Sequence, residues 1–160
     1  MTIDHTAILE TRSVAWPTEA DCSLHAAALA RHPALHNAFI ELHGPLGAGK
    51  TTFVRHLLRA LGVQGRIKSP TYAVLESYAL PALEVSHFDF YRFEDPREWA
   101  DAGFREVFAA PGLKLAEWPR KAAGQLPLPD LRLHIEPDPQ GEGRQLRIEA
   151  LTPTGQELLR

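Results

Sequence analysis

The sequence predicts a single α/β domain over residues 1–160, with a mixed, mostly parallel central sheet flanked by helices and a C-terminal antiparallel strand pair. Three observations predict it. A glycine-rich loop stands between a strand-like segment and a segment of helical periodicity, and two alternating segments around a polar turn close the sequence. A length of 160 residues supports one substantial core but is short for two ordinary domains.

The first elements follow from capping residues and apolar spacing. Thr18 and Asp21 form a capping pair that predicts a helix start, and Pro33 forbids continuation of that helix. Between them, helical spacing relates Leu24, Ala27, Ala28 and Arg31. The mostly apolar segment 38–43 predicts a strand that runs directly into the glycine loop.

A helix after the loop is predicted by three- and four-residue apolar steps at Phe53, Val54, Leu57, Leu58 and Leu61. Gly62 stands where this helix would end. Residues 69–72 predict a turn or loop, and 95–98 predict a third helix start whose helical material reaches Phe108 with a break near Gly103. Five further segments predict strands, the first two and the last two as hairpins: 73–78, 83–90, 113–116, 131–136 and 145–150.

Bulk composition narrows the class of protein. The net charge of −3 and pI near 6.2 give no general attraction to nucleic acid. The single cysteine, Cys22, excludes an internal disulfide framework and a cysteine cluster for zinc or iron–sulfur. No apolar run has the length to cross a bilayer, and the N-terminus does not resemble a secretory signal. We therefore expect a cytoplasmic protein with no membrane role.

The loop fits the phosphate-binding pattern GxxxxGK[ST] without a mismatch, through Gly44, Pro45, Leu46, Gly47, Ala48, Gly49, Lys50, Thr51 and Thr52. Its glycines let backbone amides converge on phosphate oxygens, and the following helix adds its positive N-terminal end. Lys50 is expected to reach the β- and γ-phosphates, and Thr51 to bind magnesium. Thr52 can contact the α-phosphate.

A magnesium–nucleotide site also needs a carboxylate, usually at the C-terminal edge of a neighbouring strand. Asp89 and Glu117 both stand at predicted strand ends, and either can position the attacking water. Thr71 is the best candidate for a sensor of the γ-phosphate, because its hydroxyl lies in the loop region after the motif helix. His87 alternates with Asp89 and shares its face, where a packed or solvent-exposed histidine is favoured over a catalytic one.

Three other functions share the loop. A small-molecule or nucleoside kinase ordinarily needs an arginine-bearing lid, and residues 119–139 offer little of that kind. A GTPase is disfavoured because no NKxD sequence occurs. A nucleotide-regulated binding module, in which ATP organises an interaction surface, differs from an ATPase in holding ATP without consuming it.

The ordered motifs GPLGAGKTT, SPTY, HFDFYR and EWP resemble the TsaE (YjeE) family, and a GxGR sequence at 141–144 is also similar. The resemblance covers nearly the whole chain. It implies a compact P-loop α/β fold that binds ATP and Mg²⁺ and slowly hydrolyses ATP to ADP and phosphate. It further implies work with the TsaD and TsaB proteins to form threonylcarbamoyladenosine in tRNAs that read codons beginning with adenine. The tRNA would be met indirectly, through that complex.

The resemblance assigns functional roles to the residues of this sequence that match the family motifs. The resemblance implies that 44–52 bind ATP, that Thr51 and Glu117 bind magnesium, and that Asp89 lies at the metal or its water shell. Thr71 would lie in a switch-like loop.

The family similarity also adds residues outside the loop. It implies that Ser23, where the family often has threonine, and Arg144 lie at the nucleotide. Trp118 would lie at the active-site edge or the partner surface, with ordinary core as the alternative. No arginine finger can be named, although Arg92 or a residue supplied in trans can fill that role.

Overall fold

The computed structural model describes residues 6–95, 97–98 and 103–160. Seven strands form one sheet in the order β1-β7-β6-β2-β5-β4-β3. In chain order the strands are β1 Glu10–Trp16, β2 Phe39–His43, β3 Leu75–Ala79, β4 Glu84–Asp89, β5 Leu113–Glu117, β6 Leu131–Pro137 and β7 Arg144–Ala150.

The directions of the strands confirm the predicted sheet. The centre of the sheet is parallel, with the neighbouring strands in the order β6, β2, β5 and β4. β3 runs antiparallel to β4, and β7 runs antiparallel to β6. Because β1 is antiparallel to β7, it runs with the central strands, so five of the seven strands share one direction. The predicted C-terminal strand pair is β6 and β7, in which Leu131 lies opposite Ala150.

Within the described part of the chain, the helices that can be given bounds are α1 Glu19–Ala30, α2 Lys50–Leu61, α3 Phe104–Ala109 and α4 Pro153–Leu158. Short 3₁₀ turns occupy Pro33–Asn37 and Pro119–Ala122. The predicted capping pair is present, because Thr18 accepts from the Asp21 amide and Asp21 accepts from the Thr18 amide. None of the described helices is long and apolar enough to cross a membrane.

The helix after the loop is the one that was predicted. α2 buries Phe53, Val54, Leu57 and Leu58, and Gly62 ends it with a left-handed φ of 107°. This apolar side of α2 packs with α1 against Ile40, Leu42 and Leu115 of the sheet. Because strand side chains alternate, the opposite face carries a second core built from Phe39, Phe88, Phe90, Phe93, Phe104, Ala116 and Ala122.

Several local features differ from the sequence expectation. The buried side of α1 is Cys22, Ala26 and Leu29, whereas Leu24 is 69% exposed. β3 starts later than predicted, because residues 71–73 form a turn. At the predicted third helix start, Asp95 accepts from the Arg97 amide and residues 97–98 are helical. Residues 96 and 99–102 of that expected helix lie outside the described residues.

Candidate nucleotide-binding site

The glycine-rich loop lies between the end of β2 and the start of α2. Gly44, Gly47 and Gly49 have φ values of 150°, 77° and 107°, a region that side chains rarely adopt. Gly49 caps α2, and the Gly49 carbonyl accepts the Phe53 amide. The loop therefore presents its backbone at the positive end of a 12-residue helix, the arrangement that binds phosphate.

Lys50 holds its ammonium group inside this loop. The Nζ donates to the Gly44 carbonyl and, at 3.2 Å, to the Pro45 carbonyl. It also lies 3.9 Å from the centroid of the Trp118 ring, a cation–π distance. Burial lowers the pKa of Lys50, an effect opposed by the carboxylates of Glu117 and Asp89. The lysine ammonium is thus positioned at the mouth of the loop.

Thr51 is joined to the end of β5. Its hydroxyl donates to Glu117 Oε1 at 2.8 Å, while Glu117 Oε2 contacts His87 Nε2 at 2.7 Å. Glu117 is 2% exposed and His87 is 1% exposed. The carboxylate is therefore held between a side chain of α2 and a side chain of β4.

Asp89 lies beside Glu117, because the two residues are partners across the parallel pair of β4 and β5. Asp89 Oδ1 accepts the Tyr91 amide at 2.9 Å, and Oδ2 lies 3.5 Å from the Thr71 hydroxyl. Burial raises the pKa of Asp89, and the charge of Glu117 adds to this, whereas the Tyr91 amide opposes it. The loop containing Thr71 thus closes one side of the carboxylate pair.

Arg144, at the start of β7, forms hydrogen bonds to the other side of the loop. Its Nε donates to the Ala48 carbonyl at 2.7 Å, and Nη2 donates to the Gly47 carbonyl at 3.2 Å. Nη1 donates to the carbonyls of Glu142 and Gly143 at 2.7 and 2.9 Å. The guanidinium therefore fastens the C-terminal hairpin to the phosphate loop.

Most of the predicted site residues meet in one cleft of about 330 Å³. Its walls are formed by Leu46, Gly47, Ala48, Gly49, Lys50, Thr51, Thr52, Thr71, Asp89, Tyr91, Glu117, Trp118 and Arg144. Gly44 and Pro45 instead line a separate recess behind the loop. Trp118 therefore lies at the edge of the cleft, one of the positions that the sequence left open.

Ser23 is a predicted site residue outside the loop that does not line this cleft. A second cleft of about 370 Å³ shares Gly49, Thr52 and Arg144 with the first, and α1 contributes Glu19 and Cys22 to it. Because consecutive helix positions are rotated by roughly 100°, the residue after Cys22 points elsewhere. The structure thus places Ser23 near the second cleft but outside its lining.

His87 and Tyr91 are two residues whose contribution the sequence did not identify. Alternation with Asp89 indicated the face of His87, but its partner Glu117 lies 30 positions away in the chain. Tyr91 lies 5.0 Å from Trp118 between ring centroids and also lines the cleft. Arg92 instead stacks over Tyr72, 4.2 Å from its ring centroid.

The oxygen atoms in the cleft match the preference of magnesium. Mg²⁺ binds one or two protein carboxylates together with phosphate and water oxygens, and Thr51, Asp89 and Glu117 supply a hydroxyl and two carboxylates. Among the described residues there is no group of three or more His, Cys, Asp or Glu side chains suited to a metal. A site completed by phosphate and water does not require one.

The loop between a parallel strand and a helix, with its lysine, threonine and neighbouring strand-end carboxylates, defines a P-loop-type protein. The chain belongs to the TsaE family, because the family model "Threonylcarbamoyl adenosine biosynthesis protein TsaE" matches residues 16–146. This confirms the family that the motifs indicated and places the chain in tRNA threonylcarbamoyladenosine biosynthesis.

Individual relatives agree. The TsaE protein of Haemophilus influenzae is 38% identical over 120 residues, which cover 75% of each chain. The TsaE protein of Bacillus subtilis is 38% identical over 97 residues, which cover 61% of this chain and 60% of the relative. The crystal structure of Bacillus subtilis YdiB superposes with a TM-score of 0.76 at 25% identity, covering 94% of this chain and 92% of YdiB.

Proposed function

We propose that this protein is the ATPase of threonylcarbamoyladenosine formation, which binds Mg-ATP and slowly hydrolyses it to ADP and phosphate. In this proposal it acts with the TsaB and TsaD proteins and meets tRNA through their complex. The observation that carries the proposal is the single cleft in which Lys50, Thr51, Asp89 and Glu117 surround the phosphate loop.

Phosphate binding begins with exchange of the contacts made by Lys50. Its ammonium group leaves the carbonyls of Gly44 and Pro45 and bonds the β- and γ-phosphate oxygens, while the loop amides donate hydrogen bonds to the other phosphate oxygens. Thr51 and Glu117 are the residues that hold magnesium, which when bound neutralises charge on the phosphates. Thr51 and Glu117 already hold each other in place, so little rearrangement of these two residues is needed when charge develops on the γ-phosphate.

The two carboxylates differ in how firmly they are held. Both oxygens of Glu117 are hydrogen-bonded, to Thr51 and His87, which suits a fixed magnesium ligand. Among the described residues, the hydrogen bond that Asp89 Oδ2 accepts is a long one from Thr71, and burial raises the pKa of this carboxyl toward that of an effective base. We therefore assign Asp89, rather than Glu117, to the attacking water.

We expect low intrinsic turnover, because few positively charged side chains in the cleft are available to the γ-phosphate. Among the described residues that line it, Arg144 is the only arginine, and its guanidinium donates to four backbone carbonyls. Lys50 then remains as the positive side chain free to meet the γ-phosphate. Because an added arginine accelerates such reactions greatly, we expect a partner protein to raise the rate.

The test is phosphate release by the purified protein together with TsaB and TsaD. We expect ATP-dependent multiple turnover that Lys50→Ala abolishes. Lys114→Ala is the matched control, because Lys114 is also 5% exposed and also donates to a backbone carbonyl, but lies outside the cleft. Release that persists in Lys50→Ala would contradict the proposal.

A second measurement separates the ATPase from a nucleotide-regulated binding module. Capture of the protein by TsaB and TsaD is compared with ATP, with ADP and without nucleotide. An ATPase that drives the assembly is expected to show nucleotide-dependent capture together with turnover. Nucleotide-dependent capture without ATP consumption would instead favour the binding module.

A further inference from the structure

His87 is a buried polar side chain whose bonds are only half satisfied. It lies on β4 with 1% of its surface exposed, and its Nε2 is 2.7 Å from Glu117 Oε2. Its other nitrogen, Nδ1, is buried and has no hydrogen-bond partner among the described residues. Burying such an atom costs free energy, which an apolar side chain at the same place would avoid. The neighbouring strand positions Val85 and Leu115 are apolar and fully buried.

The free-energy cost of burying His87 is offset by a functional advantage, because this side chain fixes the orientation of the Glu117 carboxylate. A carboxylate offers only acceptors, so we assign the hydrogen of the imidazole to Nε2. With Oε2 fixed by this donor, Oε1 faces the Thr51 hydroxyl at 2.8 Å. Among the described residues, Thr51 and His87 are the hydrogen-bond partners of the Glu117 carboxylate.

Repulsion between neighbouring carboxylates makes that restraint necessary. Asp89 and Glu117 are directly opposite in the parallel pair of β4 and β5, and both are buried. Without a bound cation, their charges favour rotation of one carboxylate away from the other. His87 stands on the same face of β4 as Asp89 and holds Glu117 against this rotation.

We propose that His87 is a positioning residue that keeps Glu117 oriented toward Thr51, so that the magnesium site is formed before magnesium binds. This inference rests on the proposed function of the cleft. Partners that orient a metal ligand typically contribute about 10–100-fold in metal affinity or activity.

The variants His87→Met and His87→Gln test the donor, because the two side chains have similar length and only glutamine carries an N–H. Binding of a fluorescent ATP analogue is measured while Mg²⁺ is titrated, and again in EDTA. We expect His87→Met to need about 10–100-fold more Mg²⁺ for half-maximal binding, with unchanged affinity in EDTA. His87→Gln is expected to recover most of the Mg²⁺ response.

Val85→Ala is the structural control. It removes buried atoms two positions away on the same face of β4, without touching Glu117. We expect a lower Tm but an unchanged Mg²⁺ titration. If His87→Met does not fold, His87→Asn replaces it, because its shorter amide withdraws the donor from Oε2 and must show the same shift.

The outcomes separate the inference from the function on which it rests. If the wild-type protein shows no Mg²⁺-dependent nucleotide binding, the proposed function fails. If the wild type responds to Mg²⁺ and His87→Met responds identically, the positioning role is overturned. It is also overturned if His87→Gln loses as much Mg²⁺ affinity as His87→Met, because the donor would then be irrelevant.

Discussion

Replacing Gly44 by alanine tests how the phosphate loop is seated on the neighbouring strand. Gly44 has a φ of 150°, and an added Cβ would lie 2.3 Å from the backbone oxygen of Ile135 on β6. A backbone oxygen in a strand cannot rotate away as a side chain can. Either the loop or β6 must therefore move.

Gly47→Ala is the comparison within the same loop. Its φ of 77° is also unfavourable for alanine, but an added Cβ meets nothing within 4 Å. Backbone strain alone costs about 1–3 kcal/mol, and overpacking adds about 1–3 kcal/mol. We therefore expect Gly44→Ala to lower the free energy of unfolding by about 2–6 kcal/mol, and Gly47→Ala by about 1–3 kcal/mol.

Urea and thermal unfolding followed by circular dichroism, without nucleotide, measure both variants. In a domain of this size, 1 kcal/mol corresponds to a Tm change of about 2–4 °C. The crowding contribution should therefore separate the two variants by about 2–12 °C. Equal losses, or a smaller loss for Gly44→Ala, would refute the close approach of the loop to β6.

Three further predictions concern the walls of the two clefts. Arg144→Ala removes charged hydrogen bonds to the Ala48 and Gly47 carbonyls. A hydrogen bond that involves a charged group contributes about 1.5–3 kcal/mol to stability. Calorimetry should show ATP affinity reduced about 10–100-fold, and unchanged affinity would contradict a role in shaping the loop. For Asp89, the raised pKa means that the native carboxyl keeps its proton to higher pH than in the unfolded chain, so stability falls as pH rises from the ordinary carboxyl range through the raised value. Asp89→Asn should remove that slope from Tm measurements, be more stable than the wild type at neutral pH, and fail to hydrolyse ATP; an unchanged slope would count against the burial argument. Burial raises the pKa of the Cys22 thiol from 9.0 to about 11, so at pH 8 its thiolate fraction is roughly 100-fold lower than that of an ordinary thiol. Ellman's reagent should react with the native protein at least that much more slowly than with the urea-unfolded chain, and comparable rates would show that the thiol is accessible.

The sequence predicted the phosphate loop and its two flanking elements well because their determinants are local. The glycines occupy positive-φ positions, Gly62 ends α2, and the apolar steps of α2 face the sheet. Strand ends likewise identified Asp89 and Glu117. Their direct pairing depends on the register of β4 against β5, which no short-range pattern contains.

The features that the sequence missed lack a local signal. β1 is an edge strand whose residues are largely exposed, with only Trp16 buried, so it shows no apolar alternation. The side of α1 that faces the second cleft, with Glu19 and Cys22, was not apparent from the alanine-rich spacing of this helix. The bond between His87 and Glu117 joins two separate strands, and only folding brings it about.

The reach of Arg144 has a consequence for synthesis on the ribosome. Its guanidinium contacts the Ala48 carbonyl across 96 positions of the chain. A nascent chain can expose the complete GxxxxGK[ST] motif long before residue 144 leaves the exit tunnel. Until then the loop lacks its clamp, so we expect the growing polypeptide not to bind ATP before the β7 segment has folded onto the loop.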